Sequence, residues 1–179
     1  MHLYGERIDL RELTLDDLEA VHGVANHPDV YVYQPFGPST TEETLAYLQG
    51  VIERGRENPR RDHTLAIALR ETQELLGYAS LWIISPEFRQ AEIGFFLHPS
   101  HWGHGYASEA ARHLVRHAFE DLHLHRVYAT TAPRNRASRR VLEKLGMVYE
   151  GRLREAILIR DGWRDSDVYS VLEPEWGIR

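Results

Sequence analysis

A chain of 179 residues with 42% apolar and 27% charged side chains has the size and balance of one soluble domain with a substantial core. Its formal charge of −6 argues against a basic nucleic-acid-binding surface and suits a cationic, amine-bearing partner. There is no cysteine, which excludes disulfides, thiolate metal sites and a cysteine nucleophile, and with that nucleophile a thioester carried by the enzyme.

The first residues lack the apolar centre of a signal peptide, and no stretch approaches the length of a membrane span. A cytoplasmic protein without membrane or nucleic-acid partners is expected. Ile8 to Leu13 alternates as a strand, and Thr14, followed by Asp16, Asp17 and Glu19, starts a helix over Leu15 to Ala25. His27-Pro28-Asp29 ends that helix, and Pro35 to Pro38 is a loop. Ser39 or Thr40 caps a second helix of about Glu42 to Arg56. Thr64 to Leu69 and Leu75 to Ile84 flank a polar turn and read as a hairpin, and a third strand covers about Gln90 to Leu97. A helix then runs from Ala107 to about Leu122. Val127 to Thr131 is a strand, and Ala137 to Leu145 a short helix stopped by Gly146. Met147 to Ile159 and Asp165 to Leu172 form a last hairpin around Asp161-Gly162. This order specifies an α/β chain with a mixed sheet, a single domain over 8–173 with short extensions at 1–7 and 174–179.

The most informative stretch is His98 to Ala111, where Gly103 and Gly105 sit between a strand and a helix N-terminus. Amides at such a junction are free, and the helix dipole adds partial positive charge, which makes an anion site and suits a pyrophosphate. A dinucleotide fingerprint requires a third glycine where Ser108 stands, and a P-loop requires Gly-Lys-Ser/Thr, which is nowhere in the chain. Among the 11 histidines, His113 and His117 share a helix face with Glu109, but no His-Glu-x-x-His pattern completes a zinc site, so no metal is expected.

Several blocks in order resemble the GNAT superfamily of acetyl-CoA-dependent N-acetyltransferases, and more narrowly its Rim-type branch of ribosomal-protein N-terminal acetyltransferases. They are Ile8-Asp9-Leu10-Arg11, Leu76-Gly77-Tyr78, Ala91-Glu92-Ile93-Gly94-Phe95, the glycine junction with Glu109-Ala110, Asn135 to Gly146, Glu150 to Glu155, and Asp165 with Tyr169-Ser170. The resemblance implies a mostly antiparallel sheet with a splayed strand pair and helices on both faces. It implies acetyl-CoA as cosubstrate, pantetheine paired along Phe95, Phe96 and Leu97, and pyrophosphate on the amides of Gly103, His104, Gly105, Tyr106, Ala107 and Ser108. Trp102 stands where the family commonly has Gln or Arg, so packing, a lid or direct cofactor contact are all open to it. The resemblance implies that Asn135 contacts pantetheine or a backbone carbonyl in the splay; otherwise it is a turn residue before the helix. Arg134, Arg136, Arg139, Arg140 and Lys144 either meet the 3′-phosphate, for which Arg139 and Lys144 are the chosen candidates, or form a solvated face.

Transfer to an amine requires a neutral nucleophile, a donor for the developing oxyanion and a proton for the leaving thiolate. The resemblance supplies Glu92 or Glu155 as general base, and Ser138 as general acid or helix-start hydroxyl. The acceptor is then a protein N-terminus or a small amine, attacking directly in a ternary complex. The alternative is an acyl-CoA-binding or regulatory module with little catalysis. The acceptor pocket falls to the first two helices, Tyr31, Tyr33, Phe36 and Trp82, and the late hairpin. A homodimer is the assembly to expect, since dimers are the commonest.

Overall fold

The structure, a computed structural model, describes residues 1–177. Within them eight strands form one sheet: β1 (His2–Tyr4), β2 (Ile8–Glu12), β3 (Asp62–Leu69), β4 (Leu75–Ser85), β5 (Gln90–Leu97), β6 (Arg126–Thr131), β7 (Val148–Ile159) and β8 (Gly162–Leu172). Their spatial order is β1-β2-β3-β4-β5-β6-β8-β7, antiparallel at every step except β5–β6, which is parallel. Five α-helices accompany them: α1 (Leu18–Ala25), α2 (Pro28–Tyr31), α3 (Thr41–Arg54), α4 (Tyr106–Glu120) and α5 (Arg136–Lys144). The mixed, mostly antiparallel α/β architecture is as expected. No helix among the described residues is long and apolar enough to cross a membrane.

The sheet is buried on both faces, so β3 reads as a continuous apolar run rather than an alternation. Leu65 and Ile67 join one core with Leu114, Val115 and Leu142, while Ala66 joins a second core with Val21, Leu48 and Val51. Thus α4 and α5 cover one face, and α1 and α3 cover the other. Leu114 is fully buried, and its truncation to alanine would cost about 2–5 kcal/mol through lost transfer energy and the cavity left behind.

Departures from the expected boundaries have local causes. The first helix is split, because a 3₁₀ turn (Leu15–Asp17) precedes α1. The Asp17 carboxylate accepts from the Thr14 amide and from both terminal nitrogens of Arg11, which ties down that turn. His27-Pro28 does not merely stop a helix. Pro28 opens α2, with the His27 ring accepting from the Asp29 amide. Thr40, not Ser39, caps α3 in a reciprocal box with Glu43. Residues 1–7 were expected as an extension, yet they contribute β1, which pairs with β2 at the sheet edge. At the other end Trp176 packs on Phe119, and 178–179 lie outside the described residues.

One feature of the sheet positions everything that follows. β5 and β6 pair only over Gln90–Glu92 and Arg126–Tyr128. Beyond Glu92, β5 continues to Leu97 bonded to β4 alone, and beyond Tyr128, β6 continues bonded to β8 alone. The two strands therefore diverge, and a wedge opens through the sheet.

Candidate active site

A cleft of about 1080 Å³ fills this wedge and reaches both faces of the sheet. On the α4 side its wall is the glycine junction. Gly103 (φ +81°) and Gly105 (φ +83°) are both left-handed, a conformation that a Cβ penalises. A Cβ on Gly103 would meet nothing within 4 Å, so conformation alone selects glycine there. At Gly105, which caps α4, a Cβ would also stand 3.3 Å from the Arg7 guanidinium. Among the described residues no acceptor takes the amides of Gly103 to Ser108. They remain available beside the positive end of a 15-residue helix.

Two contacts hold this loop in shape. The Trp102 indole Nε1 donates to the Leu97 carbonyl (2.9 Å), fastening the loop to the end of β5. Arg7 donates through Nη1 to the His104 carbonyl (2.8 Å) and through Nε to Glu109 (2.8 Å), whose other oxygen accepts the amides of Glu6, Arg7 and Ile8. These donors hold the Glu109 carboxyl below its ordinary range against the opposing effect of burial.

Glu92 lies at the apex of the wedge, half-buried and opposite Tyr128. Burial pushes its carboxyl above the ordinary range, only partly offset by hydrogen bonds from Thr130 Oγ1 (2.9 Å) and Tyr128. Its cross-strand neighbour Trp82 lies against the backbone of Gly94, where a Cβ would come within 3.2 Å of the indole. Phe95 packs into the α4-side core and Phe96 into the other, against Tyr78 and Phe36. Beyond Glu92 the β6-facing backbone edge of β5 pairs with no strand among the described residues.

On α5, Asn135 is the N-cap, and its Oδ1 accepts the Ser138 amide (3.0 Å). Asn135 thus caps the helix, a role its reading as a turn residue did not include, while its Nδ2 has no partner among the described residues and the residue lines the cleft. Ser138 also lines the cleft, and its hydroxyl has no partner among the described residues. Lys144 lines the cleft as well, but Arg139 does not. Arg139 turns to Glu143 (3.5 Å), and Arg136 and Arg140 take its place on the wall. Positions 136, 140 and 144 are spaced by four, so one helix face presents all three cations. His104 contributes backbone only, since its ring stacks on Tyr106 outside the cleft wall.

Glu155 is not brought to the site. It is exposed, at φ +49°, in a bulge of β7, and its amide donates to Asp165 beside a separate depression on the hairpin. An irregularity of β7 between Leu153 and Ile157 re-aims this residue away from the cleft. Among the described residues no group of three or more His, Cys, Asp or Glu side chains is placed to hold a metal. His113 and His117 bond Arg116 and Asp121 instead.

On the opposite face the cleft is walled by Tyr33, Phe36, Tyr47, Tyr78 and Trp82. Burial pushes the Tyr47 phenol up to about 12 and raises Tyr78 well above its ordinary value, so both are neutral donors at working pH. The β7–β8 hairpin roofs this side. Arg160 donates to the carbonyls of Tyr31, Phe36 and Gly37, and Arg164 to that of Tyr33.

A family model described as an acetyltransferase (GNAT) domain matches residues 7–148. The chain belongs to the GNAT acetyltransferase family. It is 32% identical to the uncharacterized N-acetyltransferase YnaD of Bacillus subtilis strain 168 over 98% of this chain and 99% of that one. A crystal structure of a GNAT-family acetyltransferase from Bacillus anthracis superposes with a TM-score of 0.86 at 31% identity, covering 98% and 100% of the two chains. The fold is also that of RimL, a ribosomal L7/L12 α-N-protein acetyltransferase solved with coenzyme A (TM-score 0.84, 21% identity, 96% and 98% coverage). The GNAT chain is thus an acyltransferase, as the sequence blocks implied.

Several GNAT-site residues carried no local sequence signal. Thr130 and Tyr128, which bond Glu92, look like ordinary strand residues. Arg7 sits more than 100 positions from Glu109 and belongs to a segment with no periodic pattern. Arg136 and Arg140 were visible as a cluster, and the four-residue spacing to Lys144 was the available cue.

Proposed function

We propose that this GNAT domain transfers the acetyl group of acetyl-CoA to a primary amine by direct attack within a ternary complex. The observation that carries the reading is the wedge: unengaged amides at one mouth, a desolvated carboxylate at its apex, and an aromatic pocket at the other mouth. The amides of Gly103 to Ser108 would hold the pyrophosphate, with Arg136, Arg140 and Lys144 beside them for the 3′-phosphate. The free edge of β5 from Ile93 to Leu97 would pair with the pantetheine amides as an added strand. That arm supplies the acetyl thioester at the apex. Glu92 would take a proton from the incoming ammonium, directly or through one water. A carboxylate held above its ordinary range is a better base near neutral pH. Ser138 Oγ–H would donate to the departing sulfur. A cytoplasmic setting fits this cosubstrate, and the acceptor is a protein N-terminus or a small molecule.

Initial rates of CoA release, measured while acetyl-CoA and an amine are both varied, test this. Intersecting double-reciprocal lines are expected for a ternary complex. Parallel lines would mean an acetylated enzyme and would refute direct attack.

A further inference from the structure

This chain pairs its partly buried arginines with carboxylates: Arg11 with Asp17, Arg54 with Asp62, Arg60 with Glu12, Arg126 with Glu150 and Arg139 with Glu143. Arg164 breaks the pattern. It is half-buried on β8 and lines the acceptor side of the cleft, yet it makes no ion pair among the described residues. Nη1 donates to the Tyr33 carbonyl and Nη2 to Ser166 Oγ (3.3 Å), while Nε is buried with no partner. The guanidinium cannot shed its proton, and a buried charge with open donors is costly. Burial accordingly lowers its affinity for the proton, with no anion to restore it.

We infer that Arg164 receives a carboxylate carried by the acceptor amine, so that the substrate class is an amino acid whose carboxylate lies several bonds from the reacting nitrogen. The inference rests on the acetyltransferase reading above. A carboxylate fits better than a phosphate because one guanidinium edge offers one positive charge, and the neighbouring Arg160 is already engaged by backbone carbonyls.

The register sets the span. Thr130, which bonds Glu92, pairs with Val168, so the two side chains share a face. Ser166 and Arg164 follow on that face at alternate positions of β8. The Arg164 guanidinium bends back to Ser166, which stands two residues, or about 7 Å, from the Val168 level. An α-amino acid is too short to reach both ends. A chain of about three to five carbons between nitrogen and carboxylate spans them, flanked by Tyr33, Tyr78 and Trp82.

The test compares kcat/KM for glycine, 3-aminopropanoate, 4-aminobutanoate and 6-aminohexanoate with that of the n-alkylamine of matching length. The expected ratio of acid to alkylamine rises along the ladder to about 10- to 100-fold, the worth of one charge-assisted contact. Arg164→Gln should collapse this ratio to near one, and Arg164→Lys should retain part of it. Because the ratio is taken within each variant, a general loss of activity or of loop order does not move it. A wild-type ratio at or below one along the whole ladder would overturn the inference, as would a ratio untouched by Arg164→Gln. Alkylamines turned over without preference refute this inference alone. No CoA release from any amine refutes the acetyltransferase reading and this inference with it.

Discussion

Replacing Gly105 with valine attacks the phosphate loop at the point where two constraints meet. The residue caps α4 at φ +83°, and an L side chain there costs roughly 1–2 kcal/mol, more for a β-branched one. The new Cβ would also press on Arg7, 3.3 Å away, whose bonds to the His104 carbonyl and Glu109 hold the loop. The chain escapes both by moving Gly105 to negative φ, which rotates the adjoining amides away from the cleft. Losing two amide contacts to a charged pyrophosphate at about 1.5–3 kcal/mol each weakens CoA by about 100-fold to 10⁴-fold. Isothermal titration with CoA measures this, with circular dichroism confirming the fold. Gly103→Asn is the control, because nothing lies within 4 Å of its Cβ and asparagine tolerates the left-handed region. It should bind within about tenfold of the parent chain. A Gly105→Val protein that is folded and binds CoA within about threefold of wild type would refute the backbone cradle.

Trp102→Phe keeps an aromatic ring but removes the donor to the Leu97 carbonyl, so CoA affinity should fall only about 2- to 10-fold by the same titration. Glu92→Gln should lower kcat by about 10²–10⁴-fold with CoA affinity retained. The acid limb of the pH–rate profile, which lies above the ordinary carboxylate range because burial raises Glu92, should disappear with it. His63 is buried, contacts the His117 ring and is pushed down from 6.5 to about 4 by burial. The unfolded chain therefore binds its proton first, and stability present above pH 6.5 is lost as pH falls towards 4, by up to about 3 kcal/mol. Urea midpoints of the parent and His63→Phe at pH 7.5 and 4.5 should show that loss flattened in the variant; parallel losses would assign it elsewhere.

The start of α3 and the glycine junction were legible because they rest on short-range chemistry: Thr40 with Glu43, and two glycines that need positive φ. Apolar patterning placed all the long strands for the same reason. What escaped depends on contacts far apart in sequence. β1 is three residues long and gains its pairing only from β2. Glu155 resembled a catalytic carboxylate by its block, but an irregularity in β7, invisible in the local pattern, turned it outward. The wedge itself came from family likeness, since nothing in Ala91 to Leu97 says that its parallel partner stops at Glu92. Arg164 looked like one charge among many, and only its lack of an ion pair among the described residues of the fold sets it apart.

The opening between β5 and β6 has a kinetic meaning of its own. Because it passes through the sheet, the Gly103–Ser108 loop borders one doorway and the Tyr33–Phe36 loop the other. If CoA takes the first and the amine the second, as proposed, each would arrive and depart by its own door without waiting for the other. An enzyme working in that way would have no structural reason for compulsory order, and CoA and an unreacted amine would lodge together as an abortive pair that slows turnover when both accumulate.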